Sequence, residues 1–162
     1  MKHQYYVNPF KCFIALTYTV FLFITGAAML SITRPLPAII AIALGSVFAV
    51  VTLRNGAVIH VNEAGIYKSI LGFVTVQWKW GEIHEMGVCG TKVFNIHHTE
   101  KVGSLYIYLS RNTLNEQERF DMIFNWPPKD KVYFVYNKKY LKALQMLSEG
   151  KIETYNVGNL QL

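Results

Sequence analysis

CFIALTYTVFLFITGAAMLSIT, from Cys12 to Thr33, is a run of 22 residues without a charge. After Arg34 a second uncharged run, PLPAIIAIALGSVFAVVTL, extends 19 residues from Pro35 to Leu53. At about 1.5 Å per residue each run makes a helix reaching about 30 Å, the thickness of a bilayer hydrocarbon core. Phe13-Ile14-Ala15-Leu16 and Ala38-Ile39-Ile40-Ala41-Ile42-Ala43-Leu44 are apolar in every direction. They lack the polar face that a helix covering a soluble core presents at 3.6-residue spacing. Pro35 disfavours helix at Arg34, while Pro37 fits the first turn of the second helix, where its missing N–H has no intrahelical partner. The expectation is a transmembrane helical hairpin over positions 1–54, with spans of about 12–33 and 35–53.

Tyr5, Tyr6 and Phe10 precede the first span as interfacial aromatics. A cleaved secretory signal would carry an apolar region of roughly 7–15 residues and a cleavage site, whereas this run is longer and a second follows at once. Gly26, Ala27 and Ala28 on the first helix, with Ala41, Ala43, Gly45, Ser46 and Ala49 on the second, are small enough to let two backbones approach. Lys2, Lys11 and Arg54 flank the outer ends and Arg34 alone occupies the loop, so both termini are expected on the cytoplasmic side of a cell membrane. Two cysteines, Cys12 and Cys89, do not make a disulfide framework.

The rest of the chain is a different material. All ten Asp and Glu lie beyond position 60, although charged residues are only 16% of the whole 162-residue chain and apolar ones 52%. Past Leu53, short β-type runs recur with turn punctuation, the pattern of an antiparallel sandwich or barrel. Ala57–Val61 and Ile66–Ile70 flank the turn Asn62-Glu63-Ala64-Gly65. From Phe73 to Trp80 alternation sends Val74, Val76, Trp78 and Trp80 toward the core. A bend is expected at Gly81–Met86, then strands at Gly87–Gly90, Lys92–Ile96 and Ser104–Ser110. A short helix is expected within Asn112–Asn125, and a last strand at Val132–Tyr136. Asn137 then caps a helix carrying Tyr140, Leu141, Leu144 and Leu147 on one face, ended by Gly150. An α+β domain over 55–150, followed by a weakly ordered tail at 151–162, is the resulting division.

The turn Asn62-Glu63-Ala64-Gly65-Ile66-Tyr67, the element Trp78-Lys79-Trp80-Gly81-Glu82-Ile83 and a closing helix Lys138–Leu147 resemble the bacterial pleckstrin-homology-like domains. The likeness covers roughly Arg54 to Glu149, with Trp-x-x-Ile its most recognisable part, and Gly65, Trp78, Trp80, Ile83, Leu141 and Leu144 carry the core pattern. It implies a partly open antiparallel barrel capped by a C-terminal helix, used to bind proteins or lipids, with transmembrane helices often preceding it. Two features depart from that family. The first hairpin loop holds an acidic residue and no basic one, so phosphoinositide headgroup binding is not carried over, and the segment 112–128 is longer than the usual connection.

Catalytic signatures are missing. His84, Glu85, His97, His98 and Glu100 lack metal-ligand spacing, and neighbours such as His97 and His98 on a strand point to opposite faces. Cys89 has no Cys-x-x-Cys partner, and no phosphate-binding glycine loop is present. No enzyme, metal or cofactor is expected. Beyond Leu53, thirteen Lys and Arg against ten Asp and Glu leave +3, spread without a block, which does not suit nucleic acid. Arg54, Lys129, Lys131, Lys138, Lys139 and Lys142 are the candidate surface for a membrane or partner. The expected function is a membrane-anchored, non-enzymatic module that binds or regulates another protein. Anionic-lipid binding is the alternative, and an oligomeric transport or channel component is disfavoured by spans without ionisable groups other than Cys12 at the edge.

Overall fold

The computed structural model describes residues 3–96 and 99–157, with the side chains of 92–102 excepted. His97 and His98 fall outside the described residues, as does the Glu100 side chain. The chain is α+β and divides into two compact units. One contains Tyr6–Val58 together with Ser69–Phe73; the other contains the rest of the described chain.

The first unit is built on α1 (Pro9–Ser31) and α2 (Pro35–Asn55), both long and apolar enough to cross a membrane. Asn8 starts α1 by accepting from the Lys11 N–H at 3.0 Å, and a proline opens each helix. The residues they bury are small: Ala15, Thr19 and Gly26 on α1, and Ala38, Ala41 and Gly45 on α2. A Cβ on Gly26 would stand 2.8 Å from Ile42 Cγ1, so a larger side chain would part the helices there. Of the small residues expected at this interface, Gly26, Ala41 and Gly45 are inside; Ala27, Ala28, Ala43 and Ser46 face outward and Ala49 is half-buried. The large side chains point away from the helix pair, with Phe13 69%, Phe21 64%, Ile24 65% and Val50 66% exposed. Hydroxyls on this surface are bonded within their own helix: Thr17 donates to Phe13 O and Ser46 to Ile42 O.

In the second unit β1 (His3–Tyr6), β2 (Val58–Asn62), β3 (Gly65–Ile70) and β4 (Phe73–Lys79) form one sheet in the order β1-β2-β3-β4. Some of these strands' end residues belong to the first unit. The second sheet has the order β7-β6-β5-β8. Its centre is the antiparallel pair β5 (Glu85–Ile96) and β6 (Thr99–Ser110), in register from Glu85 opposite Ser110 to Ile96 opposite Thr99. β7 (Val132–Val135) pairs antiparallel with β6, and β8 (Glu153–Val157) runs parallel to β5. The helices are α3 (Glu116–Phe124) and α4 (Lys138–Leu147), and the sheets do not close into one barrel. Ile59, Val61, Ile66, Met86, Val88, Ile107, Leu109, Phe134 and Leu144 are fully buried and make the core.

Four expectations are corrected. Glu153–Val157, read as tail, is a strand held by pairing with β5. The two strands expected around Gly87–Gly90 and Lys92–Ile96 are one continuous β5 that starts at Glu85, inside the expected bend. Gly87 lies in this strand because a Cβ there would meet Tyr155 O at 2.6 Å and Tyr108 Oη at 2.7 Å, a close approach rather than a break. On β4 only Trp78 is buried; Val74 is 55% exposed, Val76 half-buried, and Trp80 lies beyond the strand in a single 3-10 turn. His3–Tyr6, within the stretch 1–54 assigned to the helical hairpin, forms β1.

Candidate functional site

Among the described residues the deepest polar feature of the second unit is the Glu85 carboxylate, fully buried at the start of β5. Its Oε1 accepts from Tyr108 Oη at 2.6 Å and Arg119 Nε at 3.0 Å. Its Oε2 accepts from the Leu114 N–H at 2.8 Å and an Arg119 terminal nitrogen at 2.8 Å. The Arg119 guanidinium also lies 3.6 Å from the centre of the Tyr155 ring. Burial pushes this carboxyl up, but Arg119, Tyr108 and the Leu114 N–H outweigh it and hold it below its ordinary value. Burial and the Glu85 bond raise the Tyr108 hydroxyl, and Glu85 raises the Arg119 guanidinium. With every partner in its charged or donating form, the cluster ties β5, β6, β8 and α3 into one body and leaves no lone pair for substrate.

That tie positions α3 at the rim of a cleft. Asn115 caps the helix reciprocally: its Oδ1 accepts from Glu118 N at 2.8 Å, and Glu118 Oε2 accepts from Asn115 N at 2.9 Å. Opposite lies the turn 125–131, anchored by Trp126, whose ring stands 4.8 Å from Tyr106 and 5.1 Å from Tyr133. Between them is a hollow of about 430 Å³ with Leu114 and Met122 as apolar floor. Glu118, Asp121 and Asp130, with Lys129 and Lys131, give its lining both signs of charge. Lys131 Nζ binds both Asp130 oxygens, at 2.9 and 3.1 Å, and holds that carboxyl below its usual value. Gln117 Nε2 donates to Asp121 Oδ1 at 3.0 Å. An apolar floor under a rim of both signs suits a polypeptide segment better than a polyphosphate, which needs concentrated positive charge.

The six basic residues singled out from sequence are carried by three different stretches of the chain. Lys129 and Lys131 are at this cleft, Lys138, Lys139 and Lys142 are exposed on α4, and Arg54 is in the last turn of α2 in the other unit. The core-pattern residues are placed more coherently. Gly65, Trp78, Ile83 and Leu144 are buried, Leu141 is half-buried, and Trp80 donates from Nε1 to Asn62 O at 2.8 Å, fastening the 3-10 turn to the hairpin. His84 is exposed, its N–H bonded to Ser110 O. Burial pushes the Cys89 thiol up to about 12. Among the described residues no group of three or more His, Cys, Asp or Glu could hold a metal ion. Sequence reasoning missed the Glu85–Arg119 pair and the Asp121 rim; the only local signal was the box Asn115–Glu118 that opens α3.

What fold and site define is a class: an α+β chain with an apolar helical pair and a small domain holding a mixed-charge cleft. No protein-family model matches the chain, and comparison with curated proteins and with solved structures gives no match.

Proposed function

We propose that this protein is a membrane-anchored, non-enzymatic module whose pleckstrin-homology-like domain binds or regulates another protein at the cytoplasmic face. The observation that carries the reading is the outward-facing apolar surface of α1 and α2. Side chains such as Phe13, Phe21, Ile24, Ile39 and Val50 are more than half exposed, and burying them in lipid stabilises each by roughly 1.5–3 kcal/mol. Lys11 and Arg54 at one end against Arg34 at the other favour cytoplasmic termini. Two sheets followed by α4 support the pleckstrin-homology-like reading; β8 and β1 are additions to it. The cleft beside α3 is the proposed partner site, and the self-satisfied Glu85 cluster and the raised Cys89 thiol support a non-catalytic role.

A photo-crosslinking residue at Asn125 of the full chain in native membranes should give a discrete protein adduct that Asp121→Lys or Lys129→Glu weakens. An equal adduct from Gln145 on α4, or no adduct at Asn125, would overturn the partner site. Anionic-lipid binding is favoured by one observation, the exposure of Lys138, Lys139 and Lys142 on a single helix. Binding to vesicles that rises with anionic lipid, falls with salt and is lost in a triple Lys→Gln variant would select it instead.

A further inference from the structure

We infer that the tip of the β3–β4 hairpin, Leu71-Gly72-Phe73, is a second membrane contact, an apolar wedge seated in the interfacial layer of the same bilayer that receives α1 and α2. The inference rests on the membrane reading of those helices.

Leu71 is 78% exposed, Phe73 77% and Val74 55%, the barest apolar run outside the two helices among the described residues. Leu71 and Gly72 have φ of 51° and 85°, two successive left-handed residues that turn the chain in a two-residue hairpin. Such a turn favours Asn or Asp followed by Gly, so the fold itself does not call for leucine at its apex. A Cβ on Gly72 would meet no atom within 4 Å, so the tip stands clear of the protein.

The chain's path says what covers it. α2 ends at Asn55 and β2 begins at Val58, so the sheet starts within three residues of the helix end. A two-residue turn joins β2 to β3, and strands so joined must run antiparallel, which returns the end of β3 to the level of the α2 terminus. Accordingly Ser69–Phe73 belong to the compact unit that contains α1 and α2. The same unit carries Tyr6, 56% exposed, and Phe10, 74% exposed, at the start of α1, where Asn8 N–H binds Asn55 O at 3.0 Å and so joins the two helix ends. Tyr6, Phe10, Leu71 and Phe73 are thus large apolar or aromatic side chains gathered at one end of the pair, with Lys11 and Arg54 among them and no carboxylate in the unit. Aromatic and aliphatic groups interleaved with cations and free of acids are the composition of a bilayer interface.

The test places p-benzoylphenylalanine, one position at a time, at Phe21 on α1, at Phe73, and at Ala64 in the turn at the opposite end of β2 and β3. The full chain is reconstituted in vesicles of phosphatidylethanolamine and phosphatidylglycerol, and adducts are identified by mass spectrometry after irradiation. The expected result is a lipid adduct at position 73 comparable with that at position 21 and several-fold above that at position 64. A lipid adduct at 21 with position 73 no better than 64, or a protein adduct at 73, overturns the wedge and leaves the anchor standing. Absence of lipid adduct at 21 overturns the membrane reading itself. A companion variant, Leu71→Asn, suits the turn and should fold; it is expected to lower the adduct at 73 several-fold, and an unchanged yield counts against the wedge.

Discussion

Replacing Glu85 by glutamine keeps the shape of the side chain and removes its charge, and its cost follows from the geometry. The amide nitrogen must occupy the place of one carboxylate oxygen. At the Oε1 position it faces Tyr108 Oη and Arg119 Nε; at the Oε2 position it faces the Leu114 N–H and an Arg119 terminal nitrogen. The tyrosine hydroxyl can turn and accept, so the first placement is better, but an Arg119 N–H then points at another N–H. One charge-assisted bond is lost, worth roughly 1.5–3 kcal/mol, and Arg119, whose side chain is only 15% exposed, loses its counter-charge. We expect about 3 kcal/mol of destabilisation, at the lower edge of the roughly 3–5 kcal/mol seen when one partner of a buried pair is removed. With a slope of about 2 kcal/mol per M, the urea midpoint of the domain in the detergent-solubilised full chain falls by roughly 1.5 M, read by near-UV circular dichroism. The pH dependence has a fixed sign. The carboxyl is held below its ordinary value, so the unfolded chain binds the proton more readily. The contribution is fully present above the ordinary carboxylate range and is lost as pH falls through the depressed folded value. Glu85→Gln should flatten that acid limb. A variant within about 0.5 kcal/mol of the parent, the size of an ordinary surface change, with an unchanged acid limb, would refute the reasoning.

Three further outcomes follow from single positions. Gly65→Ala should cost several kcal/mol or prevent folding, because φ is 150° and the added Cβ would lie 2.1 Å from Trp78 O; an unchanged urea midpoint would contradict the close approach. Tyr5→Phe should be neutral or stabilise by up to about 1 kcal/mol, since the buried Tyr5 hydroxyl has no hydrogen-bond partner among the described residues while its ring stacks on Phe134 at 5.1 Å and meets Tyr140 at a tilt, 4.2 Å between centres; a loss of thermal stability would reveal a partner for it. Cys89, fully buried with its thiol pushed up to about 12, should resist a thiol reagent at neutral pH and react only in denaturant, whereas labelling of the native chain at Cys89 by mass spectrometry would contradict its burial.

What the sequence made legible was governed by local pattern. The helices α1 and α2 could be read because their residues are apolar on every side, a signal needing no partner to interpret. The capped helix α4 was legible for the same kind of reason, with Asn137 before it and Leu144 on its inner face. Strands β1 and β8 were not, because His3-Gln4-Tyr5-Tyr6 and Glu153-Thr154-Tyr155-Asn156-Val157 owe their conformation to ladders with distant strands. Glycine misled at Gly87, which reads as punctuation but marks the place where β8 and Tyr108 crowd the backbone. The Glu85–Arg119 pair joins positions 34 apart, a separation with no periodicity to betray it. The six basic residues are divided among α2, the turn 125–131 and α4, and charge spacing along a chain does not say which elements bring charges together.

The central claim is an integral anchor with the folded domain on the cytoplasmic side, and protease accessibility of a C-terminal tag, on intact cells and on cells opened by lysis, tests it most directly. The account predicts a tag that stays in the membrane fraction after alkaline extraction, is protected in intact cells and is cleaved once they are opened. A tag cleaved on intact cells would reverse the topology, and one released by alkali would contradict the anchor.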